Sequence, residues 1–516
     1  MSGDIDANPV TTARTIRRAT DAGFAYLEPA PGEEHVTDVP SGEPIAALWH
    51  LSDLHLCDAE SPARLEYLDR HGDSDSPHRE ELGDVGTYRP QEILTVQVAV
   101  AMVETVNAVR IGPTTGIAID GVVLTGDIVD NAQDNELGWY QQIVEGGVLH
   151  PWSGNAHMSS WVGVSNADRW DERYWHPDGP PPDCLPDRPT ALFGFPSVPG
   201  LIEAARRDVV SPGLALEWVT VHGNHDLLLQ GTVAVTEDLQ TLATGDVRIL
   251  DLPPGVSPRV TLEATAPVGP AQYPHDDASP RASIAADDGR RLLETGDFPR
   301  ITRHSVGPAY YATDLGALRL ICLDTVNPHG GWQGSIDEEQ LAWLESELTA
   351  ATDRYTVVLS HHPSITIIND YRPAGAPDRV LGDRIVATLA QHRNVIAWLA
   401  GHVHFHAAHM HGDFDHEFLE ITTSSLIDWP QQGRILEFVK VHDRDRPEVA
   451  IISSVVDHRA PAQWPGDLDD HVSLASVSRT LAANDYRIRD DSLRRMMLDS
   501  TPEFRNNVWR VADPFA

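Results

Sequence analysis

The sequence predicts an α/β protein with parallel strand pairing. Residues 45–52 and 121–125 are mostly apolar, as in buried strands, and the apolar segment 90–106 between them indicates a buried helix that begins near Pro90. A strand, a helix and a second strand form a βαβ unit, whose two strands are parallel and end at the same edge of a sheet. Polar residues that follow the two strands can therefore share one pocket.

Five polar motifs rich in metal-binding side chains each follow an apolar strand. They are Asp53-x-His55, Gly126-Asp127, Gly223-Asn224-His225-Asp226, His361-His362-Pro363 and Gly401-His402-x-His404. Imidazole, carboxylate and amide oxygen form a mixed ligand set that suits a borderline divalent ion such as Mn, Fe or Zn. One such motif alone is more often a helix cap beside a surface histidine, but five in order along one chain indicate a metal centre.

The spacing within two of the motifs predicts how they present their ligands. Alternate residues of extended chain lie on one face, so Asp53 and His55 could converge on one ion. The same spacing separates His402 from His404. We therefore expect both pairs to continue the extended conformation of the strands that precede them.

The remaining elements follow from the same periodicities. Apolar segments predict strands at 318–324, 356–360, 395–400, 417–422, 434–440 and 449–456. A capping-box pattern at 335–338 predicts the start of a helix with Leu341, Leu344 and Leu348 on one face. A second helix is predicted over 377–392.

These elements predict one large domain with additions. Residues 1–44 form an N-terminal extension, and 45–456 form the domain, with insertions rich in Pro and Gly near 140–215 and 231–305. Residues 457–516 are predicted to be a helical extension that packs on the core, because Leu474, Val477 and Leu481 recur at helical spacing.

Composition and charge restrict the partners and the location. Among 516 residues, 38 are basic and 77 acidic, and the formal net charge of −39 opposes binding to nucleic acid or anionic membranes. The three cysteines lack Cys-x-x-Cys spacing, so neither a disulfide framework nor a thiolate zinc site is predicted. No run approaches the ~18 apolar residues of a membrane span, and no apolar segment follows Arg17 and Arg18 as in an export signal. We expect a cytoplasmic protein.

The order and chemistry of the five motifs resemble the calcineurin-like metallophosphoesterases, over about residues 45–456. The resemblance implies a four-layer α/β/β/α sandwich with two mixed β-sheets, and two divalent metal ions, Mn, Fe or Zn, at the carboxyl ends of the strands. The Gly-Asn-His-Asp and Gly-His-x-His forms are most similar to those of the class III cyclic nucleotide and glycerophosphodiester phosphodiesterases. The chain also resembles a subgroup of large bacterial metallophosphoesterases.

The resemblance implies a role for each motif residue. The implied ligands of the first metal are Asp53, His55 and His404, those of the second are Asn224, His361 and His402, and Asp127 bridges the two. His361 is chosen over His362 because it matches the family's His-x-Pro pattern. His225 would lie beside the reacting phosphate, where it protonates the leaving oxygen or stabilises the transition state, and Asp226 would orient its imidazole.

The implied function is hydrolysis of a small-molecule phosphodiester or phosphomonoester. Metal-bound hydroxide would be the nucleophile, so no Ser or Cys nucleophile is required. Purple acid phosphatases carry a tyrosine three residues after the bridging aspartate, where this chain has Asp130, and a tyrosinate-bound ferric site is therefore not expected. A protein phosphatase and a catalytically silent, metal-stabilised binding or scaffold protein are alternatives, although the complete ligand set and His225 favour an enzyme.

Overall fold

A computed structural model of the protein describes residues 9–19, 23–72, 76–78, 88–155, 170–256, 279–302, 308–413, 416–442, 446–485, 488–489 and 492–516. Its strands are β1 Arg14–Arg18, β2 Leu27–Pro31, β3 Glu43–Leu51, β4 Gly121–Thr125, β5 Gly147–Leu149, β6 Val209–Ser211, β7 Glu217–Val221, β8 Val247–Ile249, β9 Arg281–Ser283, β10 Tyr311–Leu315, β11 Leu318–Cys322, β12 Ile336–Asp337, β13 Tyr355–Leu359, β14 Arg379–Val380, β15 Val395–Ala400, β16 Ala407–Asp413, β17 His416–Thr422, β18 Gln432–Val441, β19 Glu448–Asp457 and β20 Asn507–Ala512.

The described helices are distributed along the whole chain. They are α1 Glu66–Gly72, α2 Thr95–Ala108, α3 Asp134–Glu145, α4 Arg188–Phe193, α5 Leu201–Ala205, α6 Glu237–Thr244, α7 Phe298–Thr302, α8 Glu338–Ala350, α9 Gly382–Leu389, α10 His471–Ala482, α11 Ser492–Asp499 and α12 Pro502–Arg505. None of the helices within these described ranges is long and apolar enough to cross a membrane.

Two six-stranded sheets form the centre of the molecule. The first sheet has the order β20-β19-β18-β3-β4-β7, and the second has the order β10-β11-β13-β15-β17-β16. Strands β3, β4 and β7 pair in parallel, as do β11, β13, β15 and β17, whereas the other pairs in both sheets are antiparallel. Both sheets are therefore mixed, and the predicted βαβ unit is present as β3, α2 and β4.

Side-chain alternation along the strands separates the layers. Leu48 and Val123 from the first sheet join Leu320 and Val357 from the second in one apolar core between the sheets. The opposite face of the first sheet, including Trp49, packs on α2 and α3, and the opposite face of the second packs on α8 and α9. The order of layers is helix, sheet, sheet, helix, which confirms the predicted α/β/β/α fold class.

Several predicted boundaries differ from the structure. Helix α2, predicted from residue 90, begins at Thr95 and is preceded by a short 3₁₀ turn at Glu92–Leu94. Helix α8 is capped by Asp337, whose carboxylate accepts a hydrogen bond from the Gln340 amide, so the predicted capping box with Ser335 is wrong. The helix predicted over 377–392 is shorter, because residues 379–380 pair with β12 before α9 begins.

The C-terminal segment is attached to the first sheet and to helix α2. Helix α10 packs against α2, and Leu474, Val477 and Leu481 are buried in one cluster there. The C-terminal extension was predicted to be helical, but it also contributes β20, which pairs with β19 at the edge of the first sheet. Parts of both predicted insertions lie outside the described residues, and the rest includes the small pairs β5–β6 and β8–β9.

Candidate metal centre

Five parallel strands end beside one another and deliver the five motifs. In the first sheet, β3, β4 and β7 are neighbours that end at Leu51, Thr125 and Val221. In the second, β13 and β15 are neighbours that end at Leu359 and Ala400. Each motif begins within two residues of its strand's end, so the parallel topology places all five at one edge of the sandwich.

The backbone turns sharply at the predicted ligands. Five of them have positive φ angles, from 45° to 69°, a region that residues other than glycine rarely adopt: Asp53, His55, Asp127, His402 and His404. The expectation that both pairs continue an extended strand is therefore wrong. Strained backbone of this kind is concentrated at functional sites, where the surrounding structure holds it in place.

Glycines allow the ligand segments to approach one another. A Cβ atom at Gly401 would collide with Ser52 and with the carboxylate of Asp53, and one at Gly223 would collide with the carboxylate of Asp127. Only glycine leaves room for these contacts. Gly401 therefore lets a segment of the second sheet contact one of the first, and Gly223 lets two segments of the first sheet contact each other.

Asp53, His55 and His404 form one compact group of possible ligands. Each offers one atom, and the three atoms lie within 4.8 Å of one another. His404 Nε2 is 3.2 Å from His55 Nε2 and 3.3 Å from Asp53 Oδ1. Burial acts to lower the pKa of His404, but the carboxylate of Asp53 outweighs it and raises this pKa.

Asp127 lies between this group and the histidines of the second sheet. Its Oδ2 is 3.6 Å from His55 Nε2 and 3.1 Å from His361 Nε2. His361 Nε2 is in turn 3.2 Å from His402 Nδ1. Burial acts to lower the pKa of His361, but the Asp127 carboxylate raises it to about 9. The structure thus places Asp127 where a carboxylate could be shared between two ions.

The amide of Asn224 fits the role of a metal ligand. Its Nδ2 donates to the Gly231 carbonyl at 3.0 Å, while its buried Oδ1 accepts no hydrogen bond from the residues that the structure describes. A buried carbonyl oxygen without a donor is costly unless something else satisfies it. The donor set of imidazoles, carboxylates and this oxygen therefore fits divalent metal ions.

His361 and His362 differ in what their ring nitrogens contact. His361 directs Nε2 toward Asp127 and His402 and donates from Nδ1 to the Thr125 carbonyl at 2.7 Å. Both nitrogens of His362 are engaged elsewhere, with Thr325 at 2.8 Å and the Trp332 carbonyl at 3.0 Å. Burial and then the neighbouring His361 lower the pKa of His362 to about 3.

His225 lies at the edge of the group, and Asp226 is turned away from its ring. The His225 imidazole stands edge-on to that of His55, with ring centroids 4.5 Å apart, and its Nδ1 donates to the Asp130 carbonyl at 2.7 Å. The Asp226 carboxylate instead accepts hydrogen bonds from the amides of Ile128, Val129 and Gly223. Asp226 therefore fixes the turn, and the prediction that it orients His225 is corrected.

Two carboxylates that the sequence argument did not assign support the first group. Asp130 Oδ1 accepts from His55 Nδ1 at 3.0 Å, and Asp428 Oδ2 accepts from His404 Nδ1 at 2.8 Å. Such partners fix the tautomer and orientation of a metal-binding imidazole. Asp130 lies three residues after Asp127 and could have been found from that spacing, whereas no pattern around Asp428 marks it.

The family comparison agrees with this geometry. Residues 199–406 match the family model of the calcineurin-like phosphoesterases. This segment of the chain is therefore similar to the calcineurin-like phosphoesterases, as the motifs predicted. The matched segment includes the three later motifs but not Asp53, His55 or Asp127, which β3 and β4 bring to the same edge.

Two curated proteins and one solved structure are similar to parts of the chain. It is 32% identical over 147 residues to a probable cyclic nucleotide phosphodiesterase of Rhodococcus erythropolis, covering 28% of this chain and 42% of that protein. It is 31% identical over 94 residues to the glycerophosphodiester phosphodiesterase GpdQ of Enterobacter lignolyticus, covering 18% of this chain and 33% of that protein. The chain thus spans less than half the length of either relative. A dimetal phosphatase from Danio rerio aligns at 11% identity and a TM-score of 0.34, over 81% of this chain and all of that one.

Proposed function

We propose that the protein is a metal-dependent hydrolase of a small-molecule phosphoester, with two divalent ions of Mn, Fe or Zn. The observation that carries the proposal is the convergence of the motifs around the carboxylate of Asp127, together with the buried oxygen of Asn224 that lacks a hydrogen-bond donor among the described residues. The proposed ligands of the first ion are Asp53, His55 and His404, those of the second are Asn224, His361 and His402, and Asp127 bridges them.

The chain's own residues position a phosphate at these ions. Two bound divalent ions would polarise the phosphate oxygens and lower the pKa of a bound water. His225 donates from Nδ1 to the Asp130 carbonyl, so Nε2 is the nitrogen left to act on the phosphate. Only the imidazolium carries a proton on Nε2 as well, and in that form His225 would protonate the leaving oxygen or donate a hydrogen bond to the phosphate, whose negative charge favours the charged ring. His361 is the proposed ligand instead of His362, because the two nitrogens of His362 already have partners.

A diester of a small molecule is the favoured substrate. The two curated relatives are named as a cyclic nucleotide and a glycerophosphodiester phosphodiesterase, which supports a diester over a monoester. The formal net charge of −39 repels long polyanions, so a nucleic acid is disfavoured as substrate. Recognition of a small anion needs only the local charge of the bound ions.

The test is hydrolysis of bis(p-nitrophenyl) phosphate beside p-nitrophenyl phosphate, on metal-stripped protein resupplied with Mn, Zn or Fe. We expect turnover of the diester that returns with metal. His225→Ala should retain two ions but lose ~10²–10⁴-fold in rate, the usual contribution of a positioned proton donor. His409→Ala, which removes an exposed imidazole on β16, is the matched control.

The outcomes separate the proposed function from its alternatives. Preference for the monoester would make the protein a phosphatase. Full metal binding without turnover of either ester, in wild type and His225→Ala alike, would contradict the enzymatic proposal and support a metal-stabilised binding protein.

A further inference from the structure

A half-exposed tryptophan borders the candidate metal centre. Trp332, in the loop between β11 and β12, has 47% of its surface exposed. Its indole stacks on the imidazole of His402, with ring centroids 5.7 Å apart and an angle of 21° between the planes. Because His402 Nδ1 is 3.2 Å from His361 Nε2, the indole lies one imidazole ring away from the proposed second ion.

The loop that carries Trp332 is held on both sides. The Trp332 carbonyl accepts a hydrogen bond from His362 Nε2 at 3.0 Å. The Gly331 amide donates to the Thr232 carbonyl at 2.8 Å, and Asn369 Nδ2 donates to the Gln333 carbonyl at 3.2 Å. A ring on so well-fixed a backbone loses little entropy when a ligand packs on it.

The segment next to this loop also exposes apolar side chains. Ile365 is 71% exposed and Ile368 is 56% exposed. Their segment is bonded to the tryptophan loop, because the Gly334 amide donates to the Thr366 carbonyl at 2.9 Å and the Asn369 amide donates to the Gly334 carbonyl at 3.0 Å. The exposed apolar surface thus extends from the loop of Trp332 to the segment that carries Ile365 and Ile368.

We propose that Trp332 is a stacking platform for a planar ring in the organic group of the substrate. The inference rests on the proposed function and narrows it to aryl or nucleoside phosphoesters. A phosphate held at the ions would carry its organic group out past His402, where the half-exposed indole of Trp332 lies beside the imidazole. Stacking on one aromatic face suits a planar ring, whereas a quaternary ammonium is usually bound by several aromatic rings together.

The test measures binding to the metal-loaded protein by calorimetry, with ligands whose P–C bond is not hydrolysed. We expect phenylphosphonate to bind at least about fivefold more tightly than methylphosphonate, as stacking on an aromatic side chain implies. Trp332→Ala should abolish the preference without changing methylphosphonate binding, and Trp332→Phe should retain most of it. Tyr26→Ala, which removes a ring that is 61% exposed outside the site, should leave the preference unchanged.

A second pair of ligands shows whether the stacked ring is a nucleobase or an aryl group. The 5′-methylenephosphonate analogues of AMP and of ribose 5-phosphate, which also carry a P–C bond, test a nucleobase that a ribose separates from the phosphorus, whereas phenylphosphonate tests a ring bonded directly to phosphorus. A Trp332-dependent preference in either pair supports the platform and identifies its ligand. Equal binding within both pairs overturns the inference, whereas the proposed function is decided separately by metal-dependent turnover of bis(p-nitrophenyl) phosphate in the same protein. Failure of every ligand to bind also overturns the inference.

Discussion

The two proposed metal subsites differ in what supports their imidazoles. In the first subsite, Nδ1 of His55 and Nδ1 of His404 each donate to a buried carboxylate, Asp130 at 3.0 Å and Asp428 at 2.8 Å. A carboxylate partner makes an imidazole more basic and holds its orientation. The first subsite therefore presents its metal with strengthened ligands.

The second subsite relies on neutral partners. His361 Nδ1 donates to the Thr125 carbonyl at 2.7 Å, and Asn224 Nδ2 donates to the Gly231 carbonyl at 3.0 Å. Its only anionic ligand is the shared Asp127, whereas the first subsite also has Asp53. Fewer charges and weaker support imply that the second ion binds less tightly than the first.

Two buried arginines explain how so many carboxylates are accommodated at the first subsite. Arg64 donates to Asp130 Oδ2 at 2.9 Å, and Arg89 donates to Asp428 Oδ1 at 2.8 Å. Glu92 connects them, because its Oε2 accepts from Arg64 Nη2 and from the Arg89 amide. Both arginines come from the long segment between β3 and α2, so these two contacts of the segment support the first subsite.

The largest expected effect comes from the ligand that the subsites share. Asp127→Asn should weaken both subsites, because both ions lose their common anionic ligand, and the second subsite should weaken most because no carboxylate remains in its proposed ligand set. We expect the bound metal to fall from two ions per chain to fewer than one, with a loss of turnover that exceeds the ~10–100-fold typical of outer supporting residues. Metal analysis after gel filtration measures this.

Asp353→Asn is the matched control, since Asp353 is an exposed aspartate. It should retain two ions. If Asp127→Asn kept one ion at full affinity, that ion would not depend on Asp127, and the proposed bridge would be wrong.

A smaller and selective effect is expected from Asp428→Asn. It leaves the charge of the ligands intact but removes the anion behind His404, and we expect the first ion to bind ~10–100-fold more weakly. The affinity of the second ion should change little, so the two subsites should bind their ions with more similar affinities. Competition with a chromophoric chelator measures both affinities.

Asp130→Asn sharpens the same test, because it acts through His55 while the main-chain carbonyl that holds His225 is unchanged. The two variants should weaken the same ion. Weakening of the second ion alone by either variant would contradict the assignment of supports to subsites.

The sequence predicted the strand ends and the convergence of the motifs, because local apolar patterns define strands and the βαβ rule fixes their direction. It could not predict the left-handed turns at Asp53 or His402, since those depend on close packing between two sheets. Asp428 was missed for a similar reason, because it follows β17 with no distinctive neighbours and meets His404 only through tertiary packing. Asp226 was misassigned because adjacency in a motif suggested contact, whereas the 3₁₀ turn at Asn224–Asp226 directs its carboxylate to backbone amides.

The smallest effect is expected at His362. Comparing it with His361 decides which of these two adjacent histidines is a ligand of the second ion. His361→Gln should weaken the second ion by about tenfold or more, since the loss of a ligand exceeds the loss of its support. His362→Gln should leave both metal affinities unchanged. A glutamine amide can still donate to the Trp332 carbonyl, and none of the proposed metal ligands is altered. Calorimetric metal titrations of the two variants, made by the same substitution one residue apart, measure this directly. A reversed result, with the weaker ion lost only in His362→Gln, would exchange the two assignments and would also bring the Trp332 loop into the coordination of that ion.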